Sequence, residues 1–136
     1  MRAAILRSYG EPLAVRELPT PEPASTGAVV RVDACGVCRS DWHAWKGHGE
    51  WADDRVPRGQ VLGHEPAGTV VAVGDDVTRF APGDDVVVPF SLGDGTCRHC
   101  RRGHGNVCAD GRALGFEPDA PGAFAERVAV PDADYN

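Results

Sequence analysis

The strongest constraint on the fold is the frequent interruption of the chain by glycine and proline. Seventeen glycines and eleven prolines are spread over the 136 residues. They separate short β-branched or alternating runs, which we predict to be strands: 3–6, 13–18, 28–34, 69–73, 86–88 and 124–130. Many short strands between turn residues favour a β-barrel or a β-sandwich over a βαβ sheet.

The third run, 28–34, has the alternation expected for a strand with one buried face. The side chains predicted to share that face are Val30, Val32 and Ala34. The stretch 40–45 is the only one that favours a helix, and Ser40 or Asp41 can serve as its N-cap. The chain is therefore predicted to be mainly β, with short helices.

Charge and hydropathy exclude several classes of partner. The chain has 14 basic and 20 acidic residues, a net charge of −6, whereas nucleic-acid and anionic-membrane surfaces need clustered Lys and Arg. No apolar run approaches the roughly 18 residues of a membrane-spanning helix. The first residues, 1–6, lack the apolar stretch and the small-residue cleavage site of a signal peptide. We therefore expect a cytoplasmic protein with neither nucleic-acid nor membrane partners.

The cysteines indicate metal binding. They are Cys35, Cys38, Cys97, Cys100 and Cys108. An odd number without a signal peptide fits a disulfide framework poorly, and closely spaced cysteines in a reducing compartment more often bind metal. The segment 93–110 has almost no aliphatic residues and cannot build its own core, so a metal is the candidate for holding it. The alternative, burial of the thiol as a small hydrophobe, is favoured for Cys35.

A second candidate metal site joins two distant parts of the chain. Cys38 lies where the third strand ends, and His64 lies within the triplet Gly63-His64-Glu65. Zinc favours a thiolate and an imidazole in catalytic sites, but it usually takes three protein ligands and keeps one open position. Glu65 is therefore interpreted as a third ligand, a reserve ligand or a neighbouring carboxylate. Taken singly, each signal has an ordinary alternative, since Cys35 and Cys38 could form a redox pair and a lone histidine is usually not a ligand.

Together these motifs resemble the zinc-containing branch of the medium-chain dehydrogenase/reductase superfamily, which includes the zinc-dependent alcohol dehydrogenases. The zinc signature of that family, Gly-His-Glu-x2-Gly-x5-Gly-x2-Val, is intact from Gly63 to Val77. The stretches 36–41, 82–87 and 122–126 are also similar to the family. The resemblance extends from Met1 to about Pro131.

The resemblance implies a GroES-like, partly open β-barrel that forms the catalytic domain of a zinc- and NAD(P)-dependent oxidoreductase. Its substrate is an alcohol, a polyol or an aldehyde adduct, and hydride passes between that substrate and NAD or NADP. The implied catalytic zinc ligands are Cys38, His64 and Glu65, with a further ligand from beyond the first 136 residues. Ser40 is implied to hydrogen-bond to the substrate oxygen, and His43 to pass its proton towards solvent.

Further roles are implied for residues around this centre. Arg39 would meet the pyrophosphate of the cofactor, which suits the guanidinium fork, and His43 also belongs to the cofactor-binding set. Phe90 and Trp51 would line the substrate pocket. For Trp51 the alternative is ordinary packing of a loop aromatic.

The cysteine-rich lobe, about 93–110, departs from the family pattern Cys-x2-Cys-x2-Cys-x7-Cys. The last three positions hold Cys97, Cys100 and Cys108, and the first falls on Asp94. A carboxylate oxygen can bind zinc at about 2.0–2.2 Å, so we predict that Asp94 replaces the missing thiolate in a structural zinc site. The alternatives are that His99 or His104 completes the site, or that the lobe holds no metal.

The sequence has no Gly-x-Gly-x-x-Gly turn of a dinucleotide-binding fold. We therefore expect 1–136 to be the catalytic domain alone, inactive by itself, with the Rossmann domain absent from this chain. The full-length protein is expected to be a homodimer or homotetramer. Two other hypotheses are a stand-alone GroES-like zinc module with a structural or binding role, and an unrelated zinc ribbon. The ribbon would use Cys35, Cys38, Cys97 and Cys100.

Overall fold

The computed structural model describes residues 1–48 and 56–136. One α-helix of this part, α1, spans Arg39–Lys46, and two 3-10 turns span Cys100–Arg102 and Gly105–Val107. The strands are β1 (Arg2–Ile5), β2 (Ala14–Glu17), β3 (Ala28–Cys35), β4 (Pro66–Val73), β5 (Asp85–Val87), β6 (Ser91–Leu92), β7 (Arg112–Ala113) and β8 (Arg127–Val130). The prediction of a mainly β chain with short helices is confirmed.

The strands form an open arrangement around a central antiparallel sheet in the order β5-β4-β3-β8. The hairpin β1–β2 pairs through isolated bridges with the segments that precede β8 and β4, Ala3 with Ala125 and Ile5 with Val61, and among the described residues β6 pairs with β7. In the described ranges the sheets do not close into a full barrel. This agrees with the predicted partly open barrel.

The predicted strands are present with shifted bounds. β4 begins at Pro66, before the predicted 69, because the segment after His64 already pairs with the end of β3. The last strand begins at Arg127 rather than 124, since Phe124 and Ala125 pair with β1 instead. The two-residue strands β6 and β7 were not predicted, because pairs this short carry no periodicity.

The predicted buried face of β3 is wrong at Ala34. The pairing of β3 with β4 shifts between Val32 and Ala34, which leaves Asp33 without a partner in the register. After this shift Ala34 is exposed, and Cys35 packs half-buried against the core. Such an extra residue bends a strand, and here it does so directly before the candidate metal ligand Cys38.

Two apolar clusters make up most of the core. The first lies on the inner face of the central sheet and includes Val30, Val70 and Leu114. The second lies beneath α1 and includes Leu6, Leu62, Phe116, Ala44 and Val56. Full burial of a leucine contributes about 1.5–3 kcal/mol, so Leu62 firmly anchors the chain that leads into the Gly-His-Glu triplet.

The N-cap of the helix lies two residues before Ser40 and three before Asp41, the predicted caps. Cys38 is the N-cap, and Asp41 lies at the third helical position, where its Oδ2 accepts the N–H of Cys38 at 3.0 Å. The helix ends at Gly47, whose φ of 65° is the left-handed conformation that glycine adopts without steric cost. Across residues 1–48 and 56–136, every helix falls short of the length and apolar character needed to cross a membrane.

Candidate functional site

The fold brings Cys38, His64 and Glu65 together. One ligand atom from each lies within 4.8 Å of the other two. Cys38 is at the start of α1, and the other two residues precede β4. His64 is only 5% exposed, whereas Glu65 is exposed to solvent. A sulfur, a nitrogen and an oxygen donor at this separation fit zinc.

The buried carboxylate of Asp41 fixes this site. Its Oδ1 accepts the N–H of Gly63 at 3.0 Å and lies 3.1 Å from Nδ1 of His64, while Oδ2 accepts the N–H of Cys38. If Nδ1 carries the proton, Nε2 is left free for a metal, as in carboxylate–histidine–metal arrangements. The sequence predicted only a capping role for Asp41. Its place inside the Cys38 motif was the one available signal for more.

The surroundings of Cys38 and His64 shift the pKa values of both candidate ligands. The amide and the hydroxyl of Ser40 lower the pKa of the Cys38 thiol, and His64 lowers it further. The pKa of His64 is raised, chiefly by the hydrogen bond to Asp41 and to a lesser degree by Cys38. A metal ion binds the thiolate and the neutral imidazole, so metal binding is expected to release protons.

Aromatic rings lie on one side of His64. The ring of Phe116, which is buried, has its centroid 4.9 Å from the imidazole, and Phe90 lies at 6.3 Å. Phe90 is 59% exposed, so it lies at the open edge of the site. Phe116 was not predicted, because no motif marks it. The other predicted pocket residue, Trp51, lies outside the described residues.

The Glu65 side chain lies directly against the backbone of Gly36. The N–H of Gly36 donates to the Glu65 carbonyl at 3.1 Å. A Cβ atom at Gly36 would overlap the carboxylate of Glu65. Gly36 therefore leaves the space that the Glu65 side chain occupies beside Cys38.

The remaining predicted residues lie on α1. Ser40 is beside the metal site, with its Oγ 3.6 Å from Sγ of Cys38. Arg39 is exposed, and its guanidinium lies 5.4 Å from the ring centroid of Trp42. His43 is half-buried and contacts His48. The helix thus carries Ser40 at the candidate metal site and presents Arg39 to solvent.

The cysteine-rich lobe brings together a second group of four, with one ligand atom of each within 4.8 Å of the others. This group is Asp94, Cys97, Cys100 and Cys108. Oδ1 of Asp94 accepts the N–H groups of Thr96 at 2.8 Å and Cys97 at 2.9 Å, and these bonds lower its pKa to about 2. The sulfur atoms of Cys97 and Cys108 are 3.8 Å apart. Three thiols and an ionised carboxylate are a donor set that fits structural zinc.

The thiols of the lobe differ in acidity. The N–H of Cys100 donates to Sγ of Cys97 at 3.4 Å, and this bond is the main cause that lowers the Cys97 pKa to about 7. Loss of hydration raises the pKa of Cys100 to about 11. Cys97 is therefore more readily ionised than Cys100.

The geometry separates the alternatives for the lobe. His99 pairs with the side chain of Arg98, and neither it nor His104 belongs to the four-residue group. Cys38 groups with His64 rather than with the lobe cysteines, so the zinc-ribbon hypothesis is wrong. Burial raises the pKa of Cys35, which lies outside both groups and fits its interpretation as a packed thiol.

Tyr135 and Asn136 form hydrogen bonds with the cysteine-rich lobe. The hydroxyl of Tyr135 donates to the carbonyl of Cys100 at 3.2 Å. The Asn136 side chain accepts the N–H of Gly93 at 2.8 Å and donates to its carbonyl at 2.9 Å. These bonds attach the lobe to the segment that follows β8.

The family model of the alcohol dehydrogenase GroES-like domain matches residues 24–135 of this chain. The chain belongs to this family. An L-threonine 3-dehydrogenase of Saccharopolyspora erythraea is 43% identical over 97% of this chain and 38% of its own length. A D-arabinose 1-dehydrogenase (NADP(+)) of Saccharolobus solfataricus is 42% identical over 95% of this chain and 36% of its own.

A solved structure extends the likeness to three dimensions. The cobalt- and zinc-bound alcohol dehydrogenase of Pyrobaculum aerophilum superposes with a TM-score of 0.83 and 33% identity, over 96% of this chain and 39% of that one. The chain thus spans about two fifths of the length of the relatives it matches. The predicted family and the GroES-like fold are confirmed for this alcohol dehydrogenase domain. The stand-alone module is not favoured, because the relatives are dehydrogenases. The roles of individual residues stay predictions.

Proposed function

We propose that this chain is the catalytic domain of a zinc-dependent oxidoreductase, which transfers hydride between NAD(P) and an alcohol, a polyol or an aldehyde adduct. The observation that carries the proposal is the convergence of Cys38 and His64, held by the buried carboxylate of Asp41, in an alcohol dehydrogenase GroES-like domain. The zinc-bound relative supports it, because that protein has the same fold.

In this proposal Cys38, His64 and Glu65 hold the catalytic zinc. Bound zinc would supply Lewis-acid polarisation of the substrate oxygen. Asp41 keeps the His64 ring in one tautomer and one orientation, which leaves Nε2 free for the metal. Glu65, exposed on the solvent side, is the ligand of this set most easily exchanged for water or substrate.

The proton of the substrate hydroxyl leaves through residues of α1. The Ser40 hydroxyl accepts it beside the metal site, and His43, whose imidazole is a suitable proton carrier, passes it towards solvent. Arg39 is exposed two residues before the buried Asp41, where its guanidinium can pair with the cofactor pyrophosphate. His43 also lies beside the cofactor.

The substrate pocket and the lobe complete the proposal. Phe90 and Trp51 line the pocket, and the ring of Phe116 forms a wall against His64. The lobe residues Asp94, Cys97, Cys100 and Cys108 bind a structural zinc that replaces the missing core of 93–110. The whole protein includes a nucleotide-binding domain, forms a homodimer or homotetramer and works in the cytoplasm.

The test measures NAD(P)H absorbance with a panel of alcohols, for the full-length protein and the 136-residue chain side by side. We expect turnover only at full length, because positioning of the nicotinamide contributes about 7–11 kcal/mol to such a reaction. Cys38→Ser and His64→Ala should abolish most activity and lower bound zinc. The matched control is Cys35→Ser, which alters a thiol outside both metal groups.

Two results would contradict the proposal. Robust turnover by the 136-residue chain alone would show that no second domain is needed. Full activity of Cys38→Ser at full length would show that the thiol is not a ligand. Ser40→Ala should slow turnover and spare cofactor binding, whereas Arg39→Ala should mainly weaken the cofactor.

A further inference from the structure

Two imidazoles form a direct pair at the solvent side of α1. Nδ1 of His43 and Nδ1 of His48 are 3.1 Å apart, and the ring centroids are 5.4 Å apart. The backbone fixes this approach, because the left-handed Gly47 ends the helix and the N–H of His48 donates to the His43 carbonyl at 3.1 Å. A nitrogen–nitrogen contact of this length requires one ring to donate and the other to accept.

Aromatic packing holds the histidine pair in addition to the hydrogen bond. Trp42 meets both imidazoles edge-on, with centroid distances of 5.0 Å to His43 and 4.8 Å to His48. The guanidinium of Arg39 lies 5.4 Å from the Trp42 ring centroid. His43 is half-buried and His48 is exposed, so the pair leads from the protein outwards.

We infer that His48 is the outer carrier of the proton that leaves during alcohol oxidation, receiving it from His43. This inference rests on the proposed function. When Nε2 of His43 gains a proton, the N–H bond at its Nδ1 breaks and a new N–H bond forms at Nδ1 of His48. His48 then releases its Nε2 proton to water, so one proton enters the pair and one leaves it. No electron is transferred in this step.

The pair gives His43 an acceptor that does not depend on water reaching the half-buried ring. In relays of this kind each member needs a partner within about 2.6–3.2 Å, and His48 meets that requirement for His43. His48 is therefore a proton carrier behind His43 and does not touch the substrate.

The kinetic test uses His48→Gln in the full-length protein at low and high buffer concentration. We expect kcat at low buffer to fall by about 3- to 10-fold, a small part of the effect of a general acid–base group, because water partly replaces an outer carrier. Added imidazole should restore turnover, and KM for alcohol and cofactor should not change. His104→Gln is the matched control, since His104 is exposed and lies outside both metal groups.

The results separate this inference from the proposed function. If wild-type protein oxidises alcohols and His48→Gln matches it at low buffer, the relay is overturned and the proposed function stands. A loss that imidazole does not restore also overturns the relay, because it points to a structural role. Absence of turnover in the wild type overturns both.

A second measurement does not depend on activity. Long-range proton–nitrogen NMR of histidine-labelled full-length protein reports which ring nitrogen carries the proton. The pair requires one Nδ1–H and one bare Nδ1, and His48→Gln should change the tautomer signals of His43. If both rings carry the proton on Nε2 and His43 is unaffected by the substitution, the hydrogen bond does not exist and the inference fails.

Discussion

Replacing Asp41 with asparagine tests whether one buried carboxylate holds both candidate metal ligands. In the folded chain Asp41 accepts three hydrogen bonds, from Cys38, Gly63 and His64. With its amide oxygen at the Oδ1 position, the substituted side chain would keep the bonds from Gly63 and His64. The amide nitrogen would then face the N–H of Cys38, which would be left without an acceptor.

The magnitude follows from these three bonds. A buried donor without a partner costs about 1–3 kcal/mol, and exchanging a charged acceptor for a neutral one weakens each remaining bond by about 1 kcal/mol. The substitution also removes the cost of burying an ionised carboxylate, and this offsets part of the loss. We therefore expect the free energy of unfolding to fall by about 2–4 kcal/mol. Zinc affinity of the site should fall by about 10–100-fold, as for other carboxylates behind a ligating histidine.

The assay is urea unfolding of this chain without metal, followed by chelator competition with zinc. The raised pKa of His64 adds stability below its unfolded value of 6.5, and this is lost as pH rises through the higher folded value. Asp41→Asn removes the main cause of the raised His64 pKa. The substitution should therefore lower the free energy of unfolding more at about pH 5.5 than at about pH 8.5.

Asp33→Asn provides the control for this prediction. It makes the same chemical change in an exposed carboxylate that pairs with Arg31, and it should leave the free energy of unfolding nearly unchanged, because exposed ion pairs contribute little. The reasoning is refuted if Asp41→Asn stays within about 0.5 kcal/mol of the wild type and keeps its zinc affinity.

The other predictions concern the lobe and the space beside Glu65. Asp94→Ala should lower both the melting temperature and the amount of zinc retained after dialysis against a chelator, whereas Asp94→Cys should keep both. An Asp94→Ala protein with unchanged zinc content and melting temperature would argue against a ligand role. In metal-free protein, alkylation of Cys97 should rise through about pH 7 and precede that of Cys100, whose pKa is about 11, as read by peptide mass spectrometry. Equal rates would contradict this order. Gly36→Ala should push the exposed Glu65 carboxylate away from Cys38, so the zinc affinity of the site should fall while urea unfolding changes little, and an unchanged zinc affinity would count against a role of Glu65 there.

The fold was predictable where local chemistry and tertiary structure agree. Gly and Pro punctuation and β-branched runs located the main strands, because backbone restrictions act over a few residues. The sequence could not show the register shift at Asp33, which depends on pairing with β4 and exposes Ala34. Nor could it show that 124–126 would pair with β1, since that choice depends on a strand more than a hundred residues away.

The candidate metal groups were predictable because their residue types and spacings are specific, and the fold brings each group together. What stayed hidden were contacts that depend on the course of the folded backbone. Phe116 approaches His64 from another part of the chain, and His48 meets His43 only because Gly47 turns the backbone. Only the capping role of Asp41 was predictable, because helix capping is a local property and its bonds to Gly63 and His64 are not.

The bonds of Asp41 also bear on how such a domain can diversify. They connect residue 38 with residues 63–64, so the two segments that carry the candidate ligands hold each other in place. Residues that Asp41 does not contact can therefore change while both candidate ligands keep their positions. The relatives of this domain include enzymes named for substrates as different as threonine and arabinose, and a centre fixed by one carboxylate is compatible with such divergence around it.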